Sequence, residues 1–258
     1  MKPRTTLWIL LGFAAAGIGI GAAARADSFG ERSSVTFFVG ANADMPGSFR
    51  GQTVPFETRE PAGETVYHDL KFSDAYNDRY TSGAEFDYAL NPNITAYGRF
   101  AYQMFNGQET KVGTWMSSDQ LDTHPVSARF SDTNAQEYDV GARYLFGNFD
   151  GVRPFFGLAL GAEHLAATRA DFINVGGTGS TNVVLGEADT VFHQRAETGL
   201  QFSPAQSIDL RLTVAANHVD ADTKSNDSNL AMVGLDPTEA VYRHHWDYPV
   251  ELGAAFRF

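Results

Sequence analysis

Cysteine is absent from all 258 residues, which removes disulfides, thiolate metal sites and thiol nucleophiles from consideration. Lysine is almost absent as well: beyond residue 26 only Lys71, Lys111 and Lys224 occur, and every other cation is arginine. Basic charge is scarce as a whole. Once the first 26 residues are set aside, 31 acidic side chains face 16 basic ones, a balance that excludes nucleic acid as a partner. Past residue 26 no apolar run approaches the ~20 residues that a membrane-crossing helix requires. There is no internal repeat, no heptad pattern and no low-complexity tract.

What is present begins with an export signal. Lys2 and Arg4 form a positive start, Leu7 to Ile20 an apolar centre, and Ala24-Arg25-Ala26 a small-x-small cleavage site ahead of Asp27. Residues 1–26 therefore read as a signal peptide and 27–258 as one β domain. The apolar centre is shorter than a retained membrane anchor needs.

Period-two alternation marks eight segments, roughly 33–42, 80–90, 94–105, 135–146, 153–166, 190–203, 207–219 and 242–258. Their connections alternate between short turns, at Asn91-Pro92-Asn93, Gly147 to Val152 and Pro204-Ala205-Gln206, and long polar loops at 43–79, 106–134, 167–189 and 220–241. The pattern predicts an all-β, antiparallel, up-and-down eight-stranded transmembrane barrel, with short turns on the periplasmic side and long loops outside. A further alternation through Val66, His68, Leu70 and Phe72 can extend a strand beyond the bilayer or form another hairpin, so eight to ten strands are compatible with the pattern.

The two faces of these segments differ sharply. One carries only uncharged residues, such as Phe86, Phe100, Tyr138, Val140, Leu158, Leu160, Leu200, Leu210, Leu212, Trp246 and Tyr248, and contains no Asp, Glu, Lys or Arg. The other carries Glu85, Asp87, Arg99, Glu137, Asp139, Arg143, Arg153, Glu163, Arg195, Glu197, Asp209, Arg211, Glu251 and Arg257. Alternation alone is equally compatible with a secreted lipocalin-like barrel or sandwich. Three features favour the membrane. All mature lysines sit in loops while strand cations are arginines, whose planar forks suit crowded ion pairs. Tyr and Phe recur near strand ends, as in an interfacial girdle. The last strand, Tyr248 to Phe258, alternates to a terminal aromatic.

Four segments carry a family likeness: Phe72-Ser73-Asp74-Ala75-Tyr76, Val140-Gly141-Ala142-Arg143-Tyr144, Arg153-Pro154-Phe155-Phe156-Gly157 with Gly161, and Leu252 to Phe258. Across 27–258 the chain resembles the small outer-membrane β-barrel proteins, the OmpA-like and OmpW-like barrels. The resemblance implies location in the bacterial outer membrane and insertion by the barrel-assembly machinery, with Val250, Leu252, Phe256 and Phe258 as the insertion signal. It implies no catalytic set, and no peptidoglycan-binding domain is expected after Phe258. Pro249 departs from the pattern because it lacks a ladder donor, which predicts a bulge or weak pairing there.

An eight-stranded interior is just wide enough to be filled by side chains. The candidate site is thus a lumen ion-pair network of Glu85, Asp87, Arg99, Glu137, Asp139, Arg143, Arg195, Glu197, Arg211, Glu251 and Arg257, either a closed plug or the lining of a narrow channel for small or apolar solutes. Five histidines, His164, His193, His218, His244 and His245, fall near the external strand ends, but parity divides them between the two faces. They read as an interfacial ring, and no metal or other cofactor is assigned. Gly176 to Ser180 lacks the lysine of a phosphate loop and reads as a loop tip. Asn93-Ile94-Thr95 matches a glycosylation pattern in a tight turn where modification is implausible. No Ser, His and acid spacing marks a hydrolase, so an enzyme is not expected. The four long loops hold 19 acids and 8 bases. Trp115 and Met116 have no strand pattern around them. These loops read as a surface-interaction region that reaches lipopolysaccharide through divalent cations or contacts a host or phage surface, on a monomeric scaffold.

Overall fold

The computed structural model describes residues 32–42, 48–49, 53–56, 63–119, 122–147, 149–173, 181–220, 240–241 and 245–258. The expected signal segment 1–26, the Gly176 to Ser180 loop tip, His244 and most of the 220–241 loop lie outside them. No described helix is long and apolar enough to cross a membrane.

Eight long strands form one closed sheet. They are β1 (Ser33–Asn42), β2 (Tyr76–Asn91), β3 (Ile94–Gly107), β4 (Thr133–Leu145), β5 (Val152–Leu165), β6 (Asp189–Ala205), β7 (Ile208–Val219) and β8 (Val250–Arg257). Each pairs antiparallel with the next, and β8 returns to β1 from Ser34 opposite Arg257 to Ala41 opposite Val250. Closure leaves no unpaired edge, which is what a sheet needs in a solvent that offers no hydrogen bonds. The predicted eight-stranded antiparallel barrel is the fold observed.

The three tight connections follow from local chemistry. At the first, the Asn91 carboxamide oxygen accepts from the Asn93 and Ile94 amides, both at 2.9 Å, so one side chain stands in for a backbone acceptor. At the second, Phe149 and Val152 exchange backbone hydrogen bonds around Asp150 and Gly151, whose φ angles of 51° and 86° suit a hairpin turn matched to strand twist. The third turns at Gln206 and Ser207, next to a register irregularity between Phe202 and Ala205.

Pro249 behaves partly as expected. His245–Asp247 and Val250–Arg257 both pair with β7, with Asn217 opposite Asp247 and Val214 opposite Val250, so the register runs through the gap without a bulge. The Ala215 amide donates to the Pro249 carbonyl at 3.0 Å, but proline has no N–H to return the bond. Weak pairing without a bulge is the result.

Three of the four long loops depart from the polar-loop expectation. Thr53–Phe56, Gly63–Tyr67, Glu109–Ser117, Thr123–Phe130, Thr168–Ile173 and Thr181–Gly186 form a second, six-stranded antiparallel sheet above the barrel. Its inner side packs Tyr67, Val112, Trp115, Val126, Phe130, Phe172, Val183 and Leu185 into an apolar core with Tyr76 and Phe105 from the barrel strands. Val66 to Tyr67 thus belongs to a hairpin with Thr53–Phe56, one of the two outcomes its alternation allowed. Trp115, read as a residue without strand context, is 2% exposed in the centre of this core. A smaller three-stranded sheet joins Ala240–Val241, Ser48–Phe49 and Leu70–Lys71.

Candidate functional site

The barrel wall separates two chemistries. Outward side chains are apolar and open: Val140 is 70% exposed, Leu252 58% and Leu158 57%, with Phe86, Phe100, Phe156, Leu200 and Tyr248 in the same condition. A belt of exposed aliphatic and aromatic side chains around a closed barrel is unstable in water and stable in acyl chains. Of the four residues expected to form an insertion signal, Val250 and Leu252 stand in this belt, and Phe256 and Phe258 are half-buried beside it. Phe256 meets Phe37 across the β1–β8 seam.

Inward side chains are ionic, buried and arranged in layers. The lower layer centres on Arg143 of β4, which donates to both Glu85 oxygens at 3.0 and 3.1 Å, to Asp87 at 3.1 Å, and twice to Glu197 Oε1 at 2.6 and 2.8 Å. Its guanidinium lies 4.4 Å from the Tyr97 ring centre and 4.9 Å from that of Phe155, so rings close the faces that carboxylates leave open. Arg211 adds bonds to Glu85 and to Asp87, and Thr36 donates to Asp87 at 2.9 Å. The guanidinium fork of Arg195 links this layer to the next, donating to Glu197 at 3.0 Å and to Glu251 at 2.7 Å.

The middle layer centres on Arg99, which donates to Glu251 and Glu137 at 2.7 Å and to Asp139 at 2.9 Å, over the Phe38 ring. Above it Arg79 meets Asp247 at 2.5 Å, with Glu137 at 3.7 Å and Glu163 at 3.9 Å. Among the described residues nine acids and five arginines are buried, and Arg143, Arg99 and Arg79 each face three carboxylates. The cavity in the middle of the plug is about 10 Å³, room for about one water molecule. Glycine makes the crowding possible: a Cβ on Gly161 would lie 2.3 Å from an Asp139 carboxylate oxygen and 2.2 Å from the Tyr138 carbonyl.

The network predicted from parity is therefore assembled, with one member displaced. Glu85, Asp87, Arg99, Glu137, Asp139, Arg143, Arg195, Glu197, Arg211 and Glu251 are all buried in the lumen. Arg257 instead lies at the short-turn rim, its side chain 39% exposed, where it pairs with Asp209 beside Ser203. Three members escaped the sequence reading. Arg79 falls in what reads as loop because β2 starts four residues early, and Asp247 lies at the end of a short strand two positions before Pro249, where the sequence reading assigned no lumen residue. His193 is fully buried with Nδ1 2.9 Å from Asp139, a plug residue and not part of an interfacial ring. The other described histidines behave differently. His164 shares a 2.9 Å hydrogen bond with Thr190, and His218 packs against Trp246 at 4.9 Å. No group of three metal-ligating side chains occurs among the described residues.

No family profile matches the chain, and no curated protein matches it by sequence. Among solved structures it is similar to Neisserial surface protein A, with 12% identity over 88% of this chain and 97% of that one and a TM-score of 0.42. It is also similar to Ail, the attachment invasion locus protein of Yersinia pestis, with 16% identity, 88% and 99% coverage and a TM-score of 0.37. A third is the outer membrane enzyme PagL, with 16% identity, 87% and 99% coverage and a TM-score of 0.37. Likenesses this remote carry no argument about activity, and the barrel rests on its own strand registers. Its apolar wall, ionic interior and unequal connections are the construction of an outer-membrane barrel.

Proposed function

We propose that this chain is a monomeric, non-enzymatic outer-membrane barrel with a closed lumen, whose external sheet is a rigid platform for contact at the cell surface. The observation that carries the reading is the stacked interior: an ionic plug with room for about one water molecule, capped by the apolar core around Trp115 and Phe130. Ions moving through would have to break charge-assisted bonds below and then enter a greasy layer above. The alternative, a narrow channel for small or apolar solutes, requires both layers to part. His193 and Asp139, the nearest approach to an acid–base pair, are shut between plug and core, away from any substrate.

The acidic extension suits lipopolysaccharide reached through divalent cations, or a cationic host or phage surface, and the open Val250 and Leu252 side chains suit capture by the barrel-assembly machinery. In planar bilayers the folded protein is expected to give no stable unitary current, and discrete conductance steps would contradict the closed lumen. Co-sedimentation with lipopolysaccharide is expected to need Mg²⁺, and association that EDTA leaves unchanged would remove the cation bridge.

A further inference from the structure

The plug does not reach the short-turn end of the barrel. Below Arg211 and Asp87 lies a vestibule of about 220 Å³, open on the side that the short turns assign to the periplasm. Its lining carries four arginines, Arg32, Arg153, Arg211 and Arg257, against two carboxylates, Asp87 and Asp209. Both carboxylates are already engaged. Asp87 accepts from Arg143, Arg211 and Thr36, and Asp209 accepts from Arg257 and Ser203. Two cations are left over. Neither Arg32 nor Arg153 has an ion pair among the described residues. Arg153 gives one Nη2 bond to the Pro92 carbonyl at 2.7 Å, and its buried Nε meets no acceptor. Arg211, only 6% exposed at the roof, also has an Nε without an acceptor.

This surplus runs against the rest of the molecule. The chain is strongly acidic and its external loops hold most of the excess, so a cationic chamber at the opposite end draws anions from one side only. We propose that the vestibule is a binding site for a small oxyanion, a carboxylate or phosphate group presented from the periplasm and gripped by Arg32 and Arg153 beneath Arg211. Planar guanidinium forks match such groups with paired hydrogen bonds, and an oxyanion in the concavity supplies the charge partner that Arg32 and Arg153 lack. The proposal needs only the polarity of the barrel and is independent of what the external sheet contacts.

The group has two sources, a free phosphate ion or the carboxylate terminus of a periplasmic peptide. Full-length protein refolded in zwitterionic micelles is titrated by calorimetry with inorganic phosphate, with N-acetyl-dialanine, and with the amide of that dipeptide. Saturable binding of phosphate assigns the site to a free oxyanion, binding of the dipeptide acid alone assigns it to a chain terminus, and the amide is expected to stay silent in both cases. The Arg32→Gln/Arg153→Gln double variant is expected to weaken binding about tenfold or more, whereas Arg169→Gln on the external sheet leaves it unchanged. Because Arg153 also tethers the Pro92 turn, Arg32→Gln alone, at an exposed position, is expected to weaken binding in the same direction. Absence of saturation with both anions, or binding indifferent to both variants, overturns the site.

Discussion

Arg143 shows why the interior tolerates so much charge. It is buried, satisfied by three carboxylates and flanked by two aromatic rings, so the cost of leaving water is met by bonds that no other residue type supplies in that geometry. Arg143→Met keeps the length of the side chain and removes the charge, leaving Glu85 and Glu197 without their main partner. The expected result is a loss of about 3–5 kcal/mol in equilibrium unfolding by urea, followed through tryptophan fluorescence in lipid vesicles. A loss within about 0.5 kcal/mol, the range typical of surface substitutions, would show that the network is not a tight unit. Ten of these lumen residues were legible in the sequence because strand parity places every second side chain on one face. Parity could say which face, but not which carboxylate each arginine would meet, because several partners lie on strands far apart in sequence: Arg99 meets Glu251, 152 positions away. Arg79 and Asp247 were missed because each stands next to a strand boundary, where alternation is hardest to follow, whereas parity put His193 on the inward face and only its reading as part of an interfacial ring failed.

At the scale of elements, the outer sheet is the largest departure from the sequence reading. Its inner positions do alternate, as Val126, Ala128 and Phe130, as Ala170 and Phe172, and as Val183 and Leu185. Each run holds only two or three apolar residues among polar neighbours, too few to separate from loop by periodicity alone, and the strands pair mainly with one another, through contacts that composition does not reveal. The tight turns were more legible, since Asn91 and the Asp150-Gly151 pair carry their geometry in their own chemistry. Trp115 holds this sheet together and stacks on His124 at 5.7 Å. Trp115→Ala is expected to cost about 3–5 kcal/mol, felt in the extension and not in the barrel. Limited proteolysis should then cut within residues 109–130 while the folded barrel keeps its heat-modifiable migration on detergent gels. Loss of that migration would mean that the extension and the barrel fold as one cooperative unit.

For the whole molecule, the same strands serve two solvents. Along β3 the inward residues run Arg99, Ala101, Gln103 and Phe105, passing from charge to hydrocarbon, while the outward register runs from the exposed Phe100 to the exposed, polar Asn106. Where lipid surrounds the wall, the inside can be ionic because arginines and carboxylates satisfy one another. Where water surrounds it, the inside must be apolar, as in any soluble protein. The inversion of polarity along continuous strands is the central claim, and the absence of cysteine makes it directly measurable. Single Val140→Cys, Leu212→Cys, Lys111→Cys and Arg169→Cys variants, spin-labelled in lipid vesicles, report collision with lipid-soluble oxygen or with a water-soluble nickel complex. Oxygen is expected to dominate at positions 140 and 212 and nickel at 111 and 169; nickel reaching 140 or 212 would contradict the account.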